Sequence, residues 1–93
     1  MNKNKLKVAR NKIDKIDAKL FNLIVKRTQV VKHMLSLKRY KNQIVDNKRI
    51  NEIIRNIKKK SLKKKIDPKI ATKIWKTMIW SYVEFQRKNF RKK

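Results

Sequence analysis

Four polar side chains occupy positions where a helical protein should have an apolar seam: Arg10, Arg27, Lys38 and Gln86. Arg27 lies four residues after Leu23, within a stripe of apolar residues at helical spacing. A cation that points inward without a partner is costly, so it usually pairs with an anion. We therefore expect these cations to bind an anion that need not be protein. The stripe consists of Ile13, Ile16, Leu20, Leu23, Ile24, Val30, Val31 and Met34.

Three helices would position these side chains in a single domain, 1–93, and the expected fold class is all-α. Asp46 or Asn47 can cap the second helix. Asp67 followed by Pro68 predicts the start of the third. The predicted helices are about 6–39, 47–62 and 68–90. The predicted inward positions of the third are Ile70, Ile74, Trp75, Met78, Ile79, Tyr82, Val83 and Gln86, and those of the second are Arg49, Ile50, Ile53, Ile54 and Ile57.

The composition excludes several kinds of site. There is no Cys and no Gly, so disulfides, thiolate chemistry and glycine-rich phosphate loops are all excluded. The single histidine, His33, has no Glu or second His at ligand spacing, and we expect no metal site. The apolar run IWKTMIWSYVEF contains two charges and is too short to span a bilayer, and no signal peptide is visible. We expect a soluble, cytoplasmic protein without a membrane partner.

The formal net charge of +24 has two explanations. A large positive charge is typical of proteins that bind nucleic acid or anionic membranes. However, the 23 Lys, 12 Ile and 9 Asn are residues whose codons consist mostly of A and T. A biased genome would place Lys on solvent-exposed faces whatever the function, including the block at 58–65, which we expect to be a solvated helix end and loop. Nucleic acid is therefore not the expected partner, although a basic helical nucleic-acid-binding protein remains the alternative from another class.

The length of the first helix predicts a homodimer. At about 1.5 Å per residue the helix is a rod of roughly 50 Å, which two shorter helices of one chain cannot cover. Arg10 and Arg27 are roughly 25 Å apart along this rod, so they cannot meet around one small ligand. If two copies pack antiparallel near Phe21, residue 10 of one chain lies beside residue 32 of the other. This arrangement creates two equivalent pockets, each built from both chains and suited to a small dianion.

These residues resemble a known family, the all-helical chorismate mutases, which are intertwined three-helix dimers. The opening pattern of the family is an Arg followed by Ile-Asp-x-Ile-Asp, and its second helix begins with Asp-x-x-Arg. The resemblance covers about residues 6 to 88. The matching positions are Arg10 before Ile13-Asp14-Lys-Ile16-Asp17, Arg27, Lys38, Asp46 with Arg49, and Gln86.

The resemblance implies a cofactor-free pericyclic reaction, the conversion of chorismate to prephenate. Arg27 and the Arg10 of a second copy would bind the two carboxylates, because guanidinium pairs with carboxylate in a bidentate way. Lys38 and Gln86 would donate hydrogen bonds to the ether oxygen, which gains negative charge in the transition state. Arg49 would support a carboxylate, and Asp46 would orient the mouth of the pocket.

Two residues depart from the usual pattern and leave the substrate open. Ile50 stands where the family usually has a Glu that contacts the ring hydroxyl, and Tyr82 stands where it has a small polar residue. The segment between Lys38 and Arg49 also looks one residue short. All three features resemble the sister branch, the isochorismate pyruvate lyases, which make salicylate. The leading hypothesis is a chorismate mutase, and the alternative is an isochorismate pyruvate lyase.

Overall fold

The structure, a computed structural model, describes residues 3–91 and confirms the all-α fold class. The helices are α1 (Lys3–Leu37), α2 (Asn47–Lys63) and α3 (Pro68–Asn89), and a single 3-10 turn, Lys41–Gln43, lies between α1 and α2. Residues 3–91 contain no strand. None of the helices in this part of the chain has both the length and the apolar character needed to cross a membrane.

Both later helices begin at an aspartate, as the sequence predicts. Asp46 is the N-cap of α2, where its carboxylate accepts a hydrogen bond from the backbone N–H of Arg49 at 3.0 Å. Asp67 caps α3 by accepting from the N–H of Lys69 at 2.9 Å, and Pro68 follows it. Each cap satisfies an N–H group that has no carbonyl partner within its helix.

The lysine-rich end of α2 is helical as far as Lys63, further than the predicted boundary. Lys65, two residues after the end of α2, adopts the left-handed conformation with φ of 58°. The N–H of Ile66 donates to the carbonyl of Ser61 at 3.0 Å, and the N–H of Lys65 donates to that of Leu62 at 3.3 Å. This is the hydrogen-bond pattern that usually relies on Gly. A chain without Gly uses Lys here, at a cost of about 1–2 kcal/mol.

The chain divides into two compact units, and the boundary falls between His33 and Met34. In the first unit, the described residues 3–33 belong to α1. Their apolar side chains are largely exposed in the single chain, from 37% for Leu6 to 65% for Phe21. The predicted stripe is therefore present, but within one chain most of it is not buried. Its one buried member is Val31.

In the second unit, α2 packs against α3. The buried apolar side chains of this unit are Ile44, Ala71, Ile79 and Val83. Two polar side chains are also buried, Ser61 and Gln86, and the Ser61 hydroxyl donates to the carbonyl of Ile57 at 2.7 Å.

The prediction that Ile70 and Ile74 point inward is wrong for the single chain, because they are 62% and 55% exposed. The helical repeat places Ala71 in the buried row with Ile79, eight residues later, and turns Ile70 and Ile74 away from it.

Candidate functional site

The side chains of Lys38 and Gln86 meet, although 48 residues separate them. Lys38 Nζ donates a hydrogen bond of 2.6 Å to Gln86 Oε1. Gln86 is only 7% exposed, and its Nε2 donates to the backbone carbonyl of Tyr82 at 3.2 Å. That second bond orients the amide, with its oxygen toward the lysine. Two predicted site residues are thus in direct contact, and Tyr82 takes part through its main chain.

Burial and a nearby carboxylate shift the pKa of Lys38 in opposite directions. Desolvation lowers the pKa of Lys38 from its ordinary value of 10.5, and the charge of Asp46 partly offsets this by raising it. Burial disfavours the ammonium, whereas a nearby negative charge favours it. Asp46 therefore helps to keep a half-buried cation protonated, in addition to capping α2.

The backbone after Lys38 is fixed by local hydrogen bonds. The N–H of Lys38 donates to the carbonyl of Leu35 at 3.1 Å, which tightens the end of α1. The next two N–H groups, of Arg39 and Tyr40, both donate to Gln43 Oε1 at 2.8 Å. Our sequence analysis did not single out Gln43. The sequence does contain a signal for this role. A Gln at the third position of a helical turn can accept a hydrogen bond from the backbone N–H at the start of that turn.

Arg49 is engaged in an ion pair that the sequence analysis did not predict. Arg49 Nη1 lies 2.6 Å from Glu52 Oε1, and the two side chains are 59% and 49% exposed. An exposed pair of this kind contributes roughly 0–1 kcal/mol, so an incoming carboxylate could replace Glu52 at little cost.

Ile50 lines a shallow cavity of about 390 Å³ on the surface of the second unit. Its lining includes neither Lys38 nor Gln86, although the resemblance implies that position 50 and these two residues contact the same substrate. Two cations, Arg55 and Lys76, lie in the same lining. The other residues that line this cavity are Asn47, Asn51, Ile54 and Trp80.

Arg10 and Arg27, the predicted carboxylate ligands, both lie on the part of α1 that belongs to the first unit. Arg10 is exposed and Arg27 is half-buried. The predicted site residues of the second unit are those from Lys38 to Gln86.

Comparison with protein families identifies the chain. The family model described as chorismate mutase type II matches residues 9–87. The chain belongs to the chorismate mutase type II family. The match includes every predicted site residue from Arg10 to Gln86. It supports chorismate mutase activity in general, which is an isomerase activity. Searches among curated proteins and among solved structures find no match.

The opposing effects of burial and of Asp46 on the pKa of Lys38 predict a measurable change in that pKa when Asp46 is substituted. In Asp46→Asn, the pKa of the Lys38 amine should fall further below 10.5, because a carboxylate that raises it is removed and the cap acceptor is kept. NMR of the Lys38 side chain as a function of pH measures this. Asp67→Asn is the matched control, because it alters the other N-cap aspartate. A Lys38 pKa that is unchanged in Asp46→Asn would contradict the proposed electrostatic contact.

Proposed function

We propose that this protein is a chorismate mutase that converts chorismate into prephenate by an intramolecular Claisen rearrangement, a step of aromatic amino-acid biosynthesis. Family membership supports the activity, and the hydrogen bond between Lys38 and Gln86 supports the site. The rearrangement forms no bond to a protein atom, so it requires no nucleophile, and we propose that no cofactor takes part. The catalyst has to hold the reactive conformer and stabilise the negative charge that develops on the ether oxygen.

The hydrogen-bond capacity of the pair fits that task. An ammonium has three N–H donors, and Lys38 uses one on Gln86 Oε1, which leaves two. The amide nitrogen of Gln86 has two donors and uses one on the Tyr82 carbonyl, which leaves one. The remaining donors are on Lys38 Nζ and Gln86 Nε2. These two nitrogens are close together, because only the hydrogen bond to Oε1 and the amide group itself separate them. A substrate ether oxygen placed between them would accept from both.

The carboxylates of the substrate call for further cations. In this proposal Arg27 binds one carboxylate and Arg10 of the partner subunit binds the other, each with the bidentate geometry of guanidinium. Arg49 gives up its exposed ion pair with Glu52 and binds a substrate carboxylate instead. The substrate is thus a small dianion.

The partner in this proposal is a second copy of the chain. Ten large apolar side chains of the first unit are exposed in the single chain, a row too extensive to leave in water. They are Leu6, Val8, Ile13, Ile16, Leu20, Phe21, Leu23, Ile24, Val25 and Val30. Antiparallel pairing of two α1 helices near Phe21 would cover them and bring Arg10 into the partner's pocket.

A second candidate is an isochorismate pyruvate lyase, favoured by an aliphatic residue at position 50. Ile50 offers no acceptor to a 4-hydroxyl group on the substrate ring. The lyase reaction is also pericyclic and could use the same cations, but it needs a 2-hydroxyl ring. We rank it second because aromatic amino-acid synthesis is the commoner pathway.

The remaining expectations from the sequence belong to the same proposal. The enzyme acts in the cytoplasm, and its basic surface reflects a background of lysine codons rather than a nucleic-acid partner. In this proposal the arginines and the lysine named above bind the substrate without a metal ion.

The decisive activity test is Lys38→Ala in a product assay that offers chorismate and isochorismate side by side. We expect prephenate from the wild type and a loss of kcat on the order of a hundredfold or more in the variant, because one donor to the ether oxygen is removed. Lys41→Ala is the control, since it removes an exposed lysine of the neighbouring turn. Salicylate and pyruvate as the wild-type products would establish the lyase instead. Full turnover by Lys38→Ala would remove Lys38 from the site.

Ile50→Glu tests the choice between the two reactions. In a mutase the new carboxylate can accept from a 4-hydroxyl group, so chorismate turnover should be kept or raised. In a lyase, salicylate formation should fall while any mutase side activity survives. Because Arg55 and Lys76 line the same cavity and could pair with the new carboxylate, Ile50→Gln serves as the uncharged control. Equal loss of both activities in Ile50→Glu and in Ile50→Gln would show that position 50 does not select the substrate.

Sedimentation equilibrium tests the proposed dimer. We expect a dimer at micromolar concentration, because the exposed apolar row on α1 should be buried between two copies. Leu20→Glu, near the expected crossing point, should weaken association, whereas Lys19→Glu beside it should not. A folded and stable wild-type monomer would contradict the shared site and the role of Arg10.

A further inference from the structure

The backbone next to Lys38 is held by the side chain of Gln43, which has no role in the proposed substrate contacts. Gln43 Oε1 accepts from the N–H groups of Arg39 and Tyr40, both at 2.8 Å. These are the two peptide groups that directly follow Lys38. A carbonyl oxygen has two lone pairs, so both bonds can form at once. Gln43 thus closes the chain back on the residues next to Lys38.

The turn that contains Gln43 is itself anchored. The N–H of Gln43 donates to the carbonyl of Tyr40 at 3.0 Å, and that of Ile44 donates to Lys41 at 3.1 Å. Ile44 is 5% exposed, so it fixes the far end of the turn in the apolar interior. On the near side, the N–H of Lys38 bonds back to α1. Lys38 therefore lies between two fixed points, the end of α1 and the turn held by Gln43.

We infer that Gln43 is a positioning residue for the proposed reaction: it fixes the backbone at Lys38 and so holds the Lys38 amine on Gln86. The inference rests on the proposed function. A lysine has four rotatable side-chain bonds, and its amine can be placed accurately only if its backbone is fixed. Small displacements of a catalytic group carry a large cost in rate, because the reacting geometry is narrow.

The chemistry of the contact predicts which substitutions matter. Gln43→Leu keeps the approximate size but removes the acceptor, and Gln43→Glu keeps an acceptor of the same reach. Gln43→Asn keeps the amide but is one methylene too short. The affected hydrogen bonds are exposed, so water can solvate the freed N–H groups and global stability should change little. The effect should appear in kcat rather than in the melting temperature.

Steady-state kinetics and thermal unfolding of these variants test the inference. We expect kcat to fall on the order of tenfold or more in Gln43→Leu and in Gln43→Asn, with a smaller change in KM. Gln43→Glu should keep most of the wild-type kcat. Asn42→Leu, the same change at the preceding exposed amide, is the matched control and should keep it too. Wild-type kcat in both Gln43→Leu and Gln43→Asn would overturn the inference, as would equal loss in Gln43→Glu.

A double-mutant cycle separates positioning of Lys38 from a general structural role. If Gln43 acts through Lys38, then Gln43→Leu should cost little further activity in a Lys38→Ala background. Independent, additive losses would show that Gln43 acts elsewhere and would overturn the inference.

A spectroscopic measurement distinguishes failure of the inference from failure of the proposed function. A wild type that converts neither chorismate nor isochorismate would overturn the function and, with it, the catalytic meaning of Gln43. The NMR signals of the Gln86 side-chain amide would still report the geometry. They should move in Gln43→Leu and stay in place in Gln43→Glu and Asn42→Leu. Unmoved signals in Gln43→Leu would overturn the positioning claim whichever reaction the enzyme performs.

Discussion

The site depends on one requirement, that a half-buried ammonium must have a partner. Lys38 gives up part of its hydration, which lowers its pKa, and it recovers a hydrogen bond to the oxygen of Gln86. A neutral amide satisfies one N–H of the cation without cancelling its charge, so the cation remains available to an anion. A carboxylate at position 86 would instead form an ion pair and compete with any incoming anion. The Lys38–Gln86 hydrogen bond therefore satisfies one donor of the lysine and leaves its positive charge uncompensated by Gln86.

The packing of α3 on α2 determines where the amide of Gln86 lies. Ile79, Val83 and Gln86 are spaced by four and three residues, so they share one face of α3, and all three are buried. The two apolar members hold this face against the interior, and the polar member comes with them. The Tyr82 carbonyl, one turn earlier, then orients the amide. Substitutions in this apolar row would move Gln86 without touching it.

Polar side chains shape the ends of the helices in this chain, which has no glycine. Asp46 and Asp67 begin α2 and α3, Gln43 holds the chain after α1, and Lys65 accepts a left-handed backbone at the end of α2. Asp46 has two roles, because its charge also raises the pKa of Lys38. Helix capping and the electrostatics of the site are therefore coupled through one carboxylate.

The sequence by itself determined the three helices, the aspartate caps of α2 and α3, and the family, because these depend on local spacing and ordered motifs. Only the tertiary structure showed that Gln86 presents its oxygen to Lys38, that Gln43 closes the turn and that Ile50 lines a shallow cavity with Arg55 and Lys76. It also showed Ile70 and Ile74 exposed, although their spacing suits a buried face. The physical reason is that periodicity identifies an apolar face but not the element that covers it. Likewise, a residue type gives the donors and acceptors of a side chain, whereas their direction depends on partners that can be 48 residues away.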